Sequence, residues 1–309
     1  MKSYSNIARL LYNSNWLILP SVHNSLVSQF VTIAKGSKRK ATKGITPLDF
    51  NDEDYDEDDA DSIDEDGITP IDRQNIDDVD ADNDGDNDRD VVYTDPTSVI
   101  YVDGIIGKHL SSMETACGGV DLDDVCKQLK LASSDSNCKN IVLYFNTPGG
   151  TVTGVPEASA LIKEIASSKP IYGYADNLCA SAGMWLASQC TAFYVAPSAT
   201  VGSIGVYNLC LDESLALADD GIKVNAFSAG KYKLSGASFK PMNDEEKAMF
   251  QADVDGIYAQ FKLAFDGKNV ADDDMQGQIF NGLEAVNKNL ANGTLNCLDD
   301  ILSILATTN

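Results

Sequence analysis

A glycine turn, a serine and a pair of lysines, in that order, are the residues of this 309-residue chain best suited to chemistry. The turn is Asn146-Thr147-Pro148-Gly149-Gly150, the serine is Ser181 in Cys179-Ala180-Ser181-Ala182-Gly183, and the lysines lie in Gly230-Lys231-Tyr232-Lys233. Together they can transfer acyl groups: backbone N–H groups at the glycines hold an oxyanion, the serine attacks a carbonyl, and a lysine takes its proton. A histidine base is disfavoured, because the only two histidines, His23 and His109, both precede the serine. A lysine base must be neutral, so its usual pKa of about 10.4 has to fall by about 3, roughly 4 kcal/mol, which burial among apolar groups can supply. Each feature alone has a plainer reading: the serine as a helix cap, the Pro-Gly-Gly as an ordinary turn, the lysine as a solvated charge. Their joint occurrence at α/β spacing outweighs those readings. Spacing leaves Lys231 and Lys233 both open.

The elements that must hold these residues follow from periodicity. Val99-Ile100-Tyr101-Val102, Ile141-Val142-Leu143-Tyr144-Phe145, Ile171-Tyr172-Gly173-Tyr174-Ala175 and Ala192-Phe193-Tyr194-Val195 read as strands, the second as one buried on both faces. Helices are expected over Val120 to Leu131, from Pro156 with Ala158, Leu161, Ile162 and Ile165 inward, and over Ala182 to Gln189. Strand and helix alternating in this way predict a parallel α/β arrangement, with Ser181 at a helix N-terminus where free N–H groups favour a developing anion. A long helix is expected after Asn243-Asp244-Glu245-Glu246, an N-cap followed by acidic first-turn residues, as far as about Phe265.

Charge divides the chain. Of the net charge of −24, −19 lies between Asp49 and Asp90, where 21 Asp or Glu face two Arg. That stretch has too little apolar surface to offset the entropy of ordering and reads as disordered. The sequence therefore predicts an N-terminal docking arm (1–34), a disordered acidic linker (35–95) and a globular domain (96–309). The arm has an extended piece ending at Pro20 and an amphipathic helix from Ser21. In the linker, Gly44-Ile45-Thr46-Pro47-Leu48-Asp49 recurs as Gly67-Ile68-Thr69-Pro70-Ile71-Asp72, a local duplication. The basic run from Lys35 to Lys43 reads as solvated, since the acidic tract competes with phosphate for it, so no nucleic-acid partner is expected. Asp80-Ala81-Asp82-Asn83-Asp84-Gly85-Asp86 resembles the start of a calcium loop, but position twelve is Val91 in place of the closing Glu. No metal or other cofactor is expected. Seven cysteines in an odd set without a C-x-x-C pair point to reduced thiols in a cytosol-like compartment. The apolar stretch Trp16 to Leu19 is too short for a membrane span, so no membrane partner is expected.

Residues 98 to about 300 resemble the signal peptide peptidase A family of serine peptidases, and within it the phage and prophage capsid-maturation (prohead) protease branch. The resemblance rests on Val99-Ile100-Tyr101-Val102-Asp103-Gly104, Cys117-Gly118-Gly119-Val120-Asp121, the Gly149-Gly150 turn, Ala180-Ser181-Ala182-Gly183-Met184-Trp185, Val201-Gly202-Ser203-Ile204-Gly205 and Ala229-Gly230-Lys231-Tyr232-Lys233, in order. Trp16-Leu17-Ile18-Leu19-Pro20 also resembles the lead-in of the phage branch. The resemblance implies Ser181 as nucleophile, Lys233 as base, Ser203 as the hydroxyl that orients the lysine, and Gly149, Gly150 and Ala182 as the oxyanion hole. It implies a Clp protease/crotonase-like ββα superhelix, a homo-oligomer with active sites that can be completed across subunits, and capsid or scaffold proteins as substrates. Two departures stand out. Gly183-Met184-Trp185 replaces the family's Gly-Gly-Tyr, a change expected at the substrate pocket, and Asn289-Leu290-Ala291-Asn292 replaces its Gly-Leu-Val-Asp ending. The weighed alternatives are a bacterial-type signal-peptide or protein-fragment peptidase, a crotonase-like acyl-CoA enzyme and a non-catalytic scaffold component.

Overall fold

Apolar β-branched and aromatic runs separated by glycine turns become strands in the computed structural model, which describes residues 15–20, 22, 92–94 and 96–308. The strands are β1 (Asn15–Ile18), β2 (Val92–Thr94), β3 (Thr97–Asp103), β4 (Ile105–Gly107), β5 (Gly119–Asp121), β6 (Asn140–Asn146), β7 (Gly149–Thr151), β8 (Ile171–Ala175), β9 (Leu178–Ala180), β10 (Ala192–Val195), β11 (Thr200–Gly202), β12 (Tyr207–Asn208), β13 (Ile279–Asn281) and β14 (Gly293–Thr294). The helices are α1 (Ser112–Ala116), α2 (Leu122–Ser134), α3 (Val155–Ala166), α4 (Ala182–Ala187), α5 (Ser214–Asp219), α6 (Asp244–Leu263), α7 (Gly282–Asn287) and α8 (Leu298–Thr308). Of the expected linker (35–95) the described residues are 92–94, which form β2 against β3; the rest of it and the arm's helix, but for Val22, lie outside the described residues.

Repetition of one unit organises these elements. β6-β7-α3 and β8-β9-α4 are ββα units, and β3-β4 reach α2 through the short α1 and β5. First strands assemble one large sheet in the order β14-β10-β8-β6-β3-β2, parallel throughout except for the β2–β3 pair. Second strands go elsewhere, into a sheet ordered β12-β1-β7-β4-β5 and another ordered β13-β11-β9. The fold is thus the stacked ββα arrangement of the α/β class that the sequence led us to expect.

Alternation along the large sheet sorts its side chains. Ile100, Val102, Ile141, Leu143, Phe145 and Ile171 pack into the main core with Leu129 of α2 and Ile162 of α3, all fully buried. Val99, Val142 and Tyr174 face the other way, against Ile301 and Leu305 of α8. That second face carries a run of tyrosines, with ring centroids 5.2 Å apart for Tyr101 and Tyr144 and 6.2 Å for Tyr144 and Tyr174. At α6, Asn243 and Glu246 exchange the two hydrogen bonds of a capping box, as the sequence leads one to expect. Trp185 does not line an open pocket: it is buried and stacked on Phe261 of α6, centroids 4.8 Å apart and planes 10° from parallel.

Burial on the main-core side has a measurable consequence. It pushes the Cys190 thiol up to about 12 from an ordinary 9.0, and on the other face burial, aided by the charge of Asp176, pushes the Tyr174 phenol up to about 12 from 10.0. Both groups are neutral in the folded protein at pH values where the unfolded chain has begun to ionise. Their contribution to stability is complete below pH 9 and is lost as pH rises from there toward 12, by up to about 4 kcal/mol from Cys190. Denaturant midpoints measured from pH 8 upward should fall steeply, and Cys190→Ala should flatten the early part of that fall. A flat profile would show that neither group is held from water.

Candidate active site

Ser181 is the entire turn between β9 and α4. Its backbone sits at φ 55 and ψ −113, a region sparsely populated by non-glycine residues and costly by about 1–3 kcal/mol. It occupies the cap position of α4 yet makes no capping hydrogen bond. Its Oγ is buried without a hydrogen-bond partner, and the residue is 1% exposed. A serine held in strain with its hydroxyl unsatisfied is stabilising nothing, which removes the plainer reading of this residue as a helix cap.

Neighbouring strands bring the rest of the constellation to it. β9 runs parallel to β11 with Ala180 beside Gly202, and the Ser181 N–H donates to the Gly202 carbonyl at 2.8 Å. Ser203 follows directly, also at positive φ (54), buried, with its N–H donating to Gln278 O at 2.6 Å. Across from β11, Thr147 bridges Cys179 in parallel, and the Ala180 N–H donates to Thr147 O at 3.0 Å, which fixes the glycine turn alongside the serine.

Only glycine fits that turn. A Cβ on Gly149 (φ 100) would stand 2.9 Å from Ser181 Cβ and 2.0 Å from the Leu17 carbonyl oxygen, and one on Gly150 would stand 1.8 Å from Ile106 O. Thr147, which sequence reasoning left out of the site, is its positioning residue: its hydroxyl donates to Gly104 O at 2.6 Å and accepts from the Gly149 N–H at 3.1 Å. The signal was present as a threonine two residues before a glycine, the pattern of a side-chain-built turn. Gly149 therefore spends its N–H on shaping the turn. Gly150 lies opposite Leu17 in the ladder, and the Ala182 N–H opens α4, where no intrahelical acceptor exists for it.

Gly149, Gly150, Ser181, Ala182 and Ser203 thus converge within one chain. Lys233 does not join them: it is exposed, on a turn where its N–H donates to Gly230 O at 3.2 Å, and it is not hydrogen-bonded to Ser181. The structure does separate the two lysines that the spacing left open. Lys231 is bonded to the carboxylate of Glu245, and that hydrogen bond raises its pKa, the wrong direction for a base. Among the described residues the lysine whose pKa burial lowers is Lys268, and the group whose charge acts on it is Cys190, beyond the C-terminal end of α4. Cys179, two residues before Ser181, is no rival nucleophile, because complete burial drives its thiol well above the ordinary range. All seven cysteines are free, and among the described residues no cluster of three His, Cys, Asp or Glu could hold a metal. Among the same residues no helix is long and apolar enough to cross a membrane.

Comparison with known proteins finds similarity to peptidases. Residues 163–308, which include Ser181, Ser203 and Lys233, match the model of peptidase family S49. The capsid assembly protease C of Escherichia phage lambda is 27% identical over 204 residues, 65% of this chain and 46% of that protein. The head-tail preconnector protein of an Enterobacteria phage is 26% identical over 67% of this chain and 42% of its own length. A putative signal peptide peptidase of Enterococcus faecium is 30% identical over 53% of this chain and 49% of its own. The chain spans less than half the length of each of these relatives. The strained serine at its strand-to-helix turn thus lies within a stretch, residues 163–308, that is similar to peptidase family S49, in a chain similar to proteases of phages and bacteria.

Proposed function

We propose that the chain is a serine endopeptidase that cuts capsid or scaffold proteins of a phage head in the host cytoplasm, working as a homo-oligomer. Ser181 Oγ attacks the peptide carbonyl while the neutral amine of Lys233 takes its proton, with Ser203 orienting that amine. The oxyanion of the tetrahedral intermediate is held by the N–H groups of Gly150 and Ala182. Lys233 then protonates the leaving amine, the acyl group stays on Ser181, and a water activated by the same lysine releases it. The observation that carries this reading is the strained, buried and unpartnered hydroxyl of Ser181 beside the two glycines.

The homo-oligomer is supported by what surrounds Lys233. Leu211, Leu215, Ile222, Val224 and Phe227 of the same region are exposed, Phe227 to 96%, an apolar surface that nothing among the described residues covers. Packed on a neighbouring subunit, this region would exclude water from around Lys233, the setting in which an amine can serve as a base. The test is mass spectrometry of the assembled protein after treatment with a fluorophosphonate. A single adduct on the peptide containing Ser181, absent from Lys233→Ala, is the expected result. An unmodified Ser181 in an assembled, folded protein, both with the N-terminal arm in place and with it cut away, would remove the reading.

A further inference from the structure

The nucleophile is shielded by its own chain. β1, which reaches the body from the far side of the acidic tract, pairs antiparallel with β7 on one edge and with β12 on the other. Asn15 O accepts from the Val152 N–H at 3.3 Å, and the Leu19 N–H donates to Pro148 O at 3.0 Å. Because hydrogen-bonded pairs alternate along an antiparallel ladder, Leu17 and Gly150, midway between those bonds, face each other as a bonded pair. The carbonyl of Leu17 therefore points at the Gly150 N–H, one of the two donors assigned to the oxyanion. The same carbonyl and Ser181 Cβ meet at the point where a Gly149 Cβ would stand. Among the described residues β12 has β1 as its only neighbour in that sheet, so without β1 a slot one strand wide lies open between β7 and β12. Such a slot takes an extended peptide by backbone pairing on both edges.

We propose that Asn15–Ile18 is the chain's own occupant of its peptide-binding cleft, lying as a substrate backbone must lie with Leu17 at the residue whose carbonyl is attacked, and that it must leave before another peptide is cut. The proposal rests on the reading of Ser181 as nucleophile. It accounts for the 1% exposure of a residue that has to meet a polypeptide. It also states a preference: the side chain of Leu17 is fully buried in the main core, so the cleft takes a large aliphatic residue at that place, with Trp16 and Ile18 buried on either side. Tethering makes the occupancy self-regulating. A segment carried on the same chain competes at an effective concentration of about millimolar, which free substrate must exceed or assembly must overcome.

The experiment compares labelling rates of Ser181 by a fluorophosphonate in the assembled full-length protein and in two forms that free the cleft. One carries Leu17→Asp, whose carboxylate cannot remain in an apolar site. The other carries a site-specific protease sequence inserted after Lys35, is cut after folding, and has its arm removed by gel filtration. Hydrogen exchange at the Val152 amide reports departure of β1 in each. Labelling faster by tenfold or more once that amide is unprotected, and slowed again by a synthetic peptide of residues 10–22, is the expected result. Should Leu17→Asp not fold, the cut form decides. Equal rates with and without β1 overturn the proposal and leave the peptidase reading standing, whereas no labelling of any form removes both.

Discussion

Replacing Ser181 by Ala should abolish cleavage, by about 10^4-fold or more, and leave the protein more stable than it was. Loss of activity follows from removing the attacking atom. The gain in stability is the sharper expectation. The hydroxyl is buried with no partner, so its desolvation is uncompensated at about 1–3 kcal/mol, and a methyl group in its place carries no such cost. Ser181→Gly should gain further, since glycine adopts φ 55 and ψ −113 freely, and the relief of about 1–3 kcal/mol exceeds the entropy cost of about 0.5–1 kcal/mol that glycine brings. Denaturant midpoints of the two variants, read beside cleavage of a co-expressed set of head proteins, check both halves. A serine that caps a helix behaves oppositely, losing about 1 kcal/mol on conversion to alanine. A destabilised Ser181→Ala that still cleaves would sink the assignment.

Legibility in the sequence tracked the length and apolarity of each element. β3, β6, β8 and β10 are continuous runs whose two faces both find a core, and α2, α3 and α6 are long enough for helical spacing to show. Short strands were not legible. β4, β5, β7, β9 and β11 have three residues each and are rich in glycine and small side chains, so neither propensity nor alternation marks them. Those are the strands that build the site. Ser181, Gly149 and Gly150 could be found only as types at a spacing, while the strain on Ser181 and the engagement of the Gly149 N–H belong to pairings between segments distant in the chain. β1 is the extreme case. Its extended character was readable as a piece ending at Pro20, but nothing local says that an arm beyond an acidic tract lies across the glycines of β7. Spacing alone left Lys231 and Lys233 open and only the family resemblance chose Lys233; the physical ground against Lys231 is its partner Glu245 of α6, which periodicity places on a helix and cannot place beside a lysine.

Two inactive variants mixed together should regain activity, and this expectation bears on why Lys233 stands apart from Ser181 in a single chain. Lys233→Ala and Ser181→Ala are each expected to cleave nothing, one for want of a base and the other for want of a nucleophile. If the dyad is shared in a closed ring, each site would join Ser181 of one subunit to Lys233 of the next, because a head-to-tail interface repeats the same contact at every junction. Random mixing of equal amounts then yields about a quarter of the sites with both residues intact, and about a quarter of the native rate. If both residues of each dyad came from one chain, no mixture could exceed the rate of its components. Lys231→Ala serves as the neighbouring control. It breaks the contact with Glu245 and leaves the amine of Lys233 in place, so the rate should change by no more than a few-fold. The apolar surface around Phe227 makes the mixing result conditional on assembly, and Phe227→Asp, which puts a charge where the partner should pack, should hold the mixture at zero. Recovery to about a quarter, lost again with Phe227→Asp, separates a shared site from a folding artefact. No recovery in a mixture shown by native mass spectrometry to contain hybrid rings would confine the dyad to one chain and require the 209–242 region to fold back onto its own Ser181.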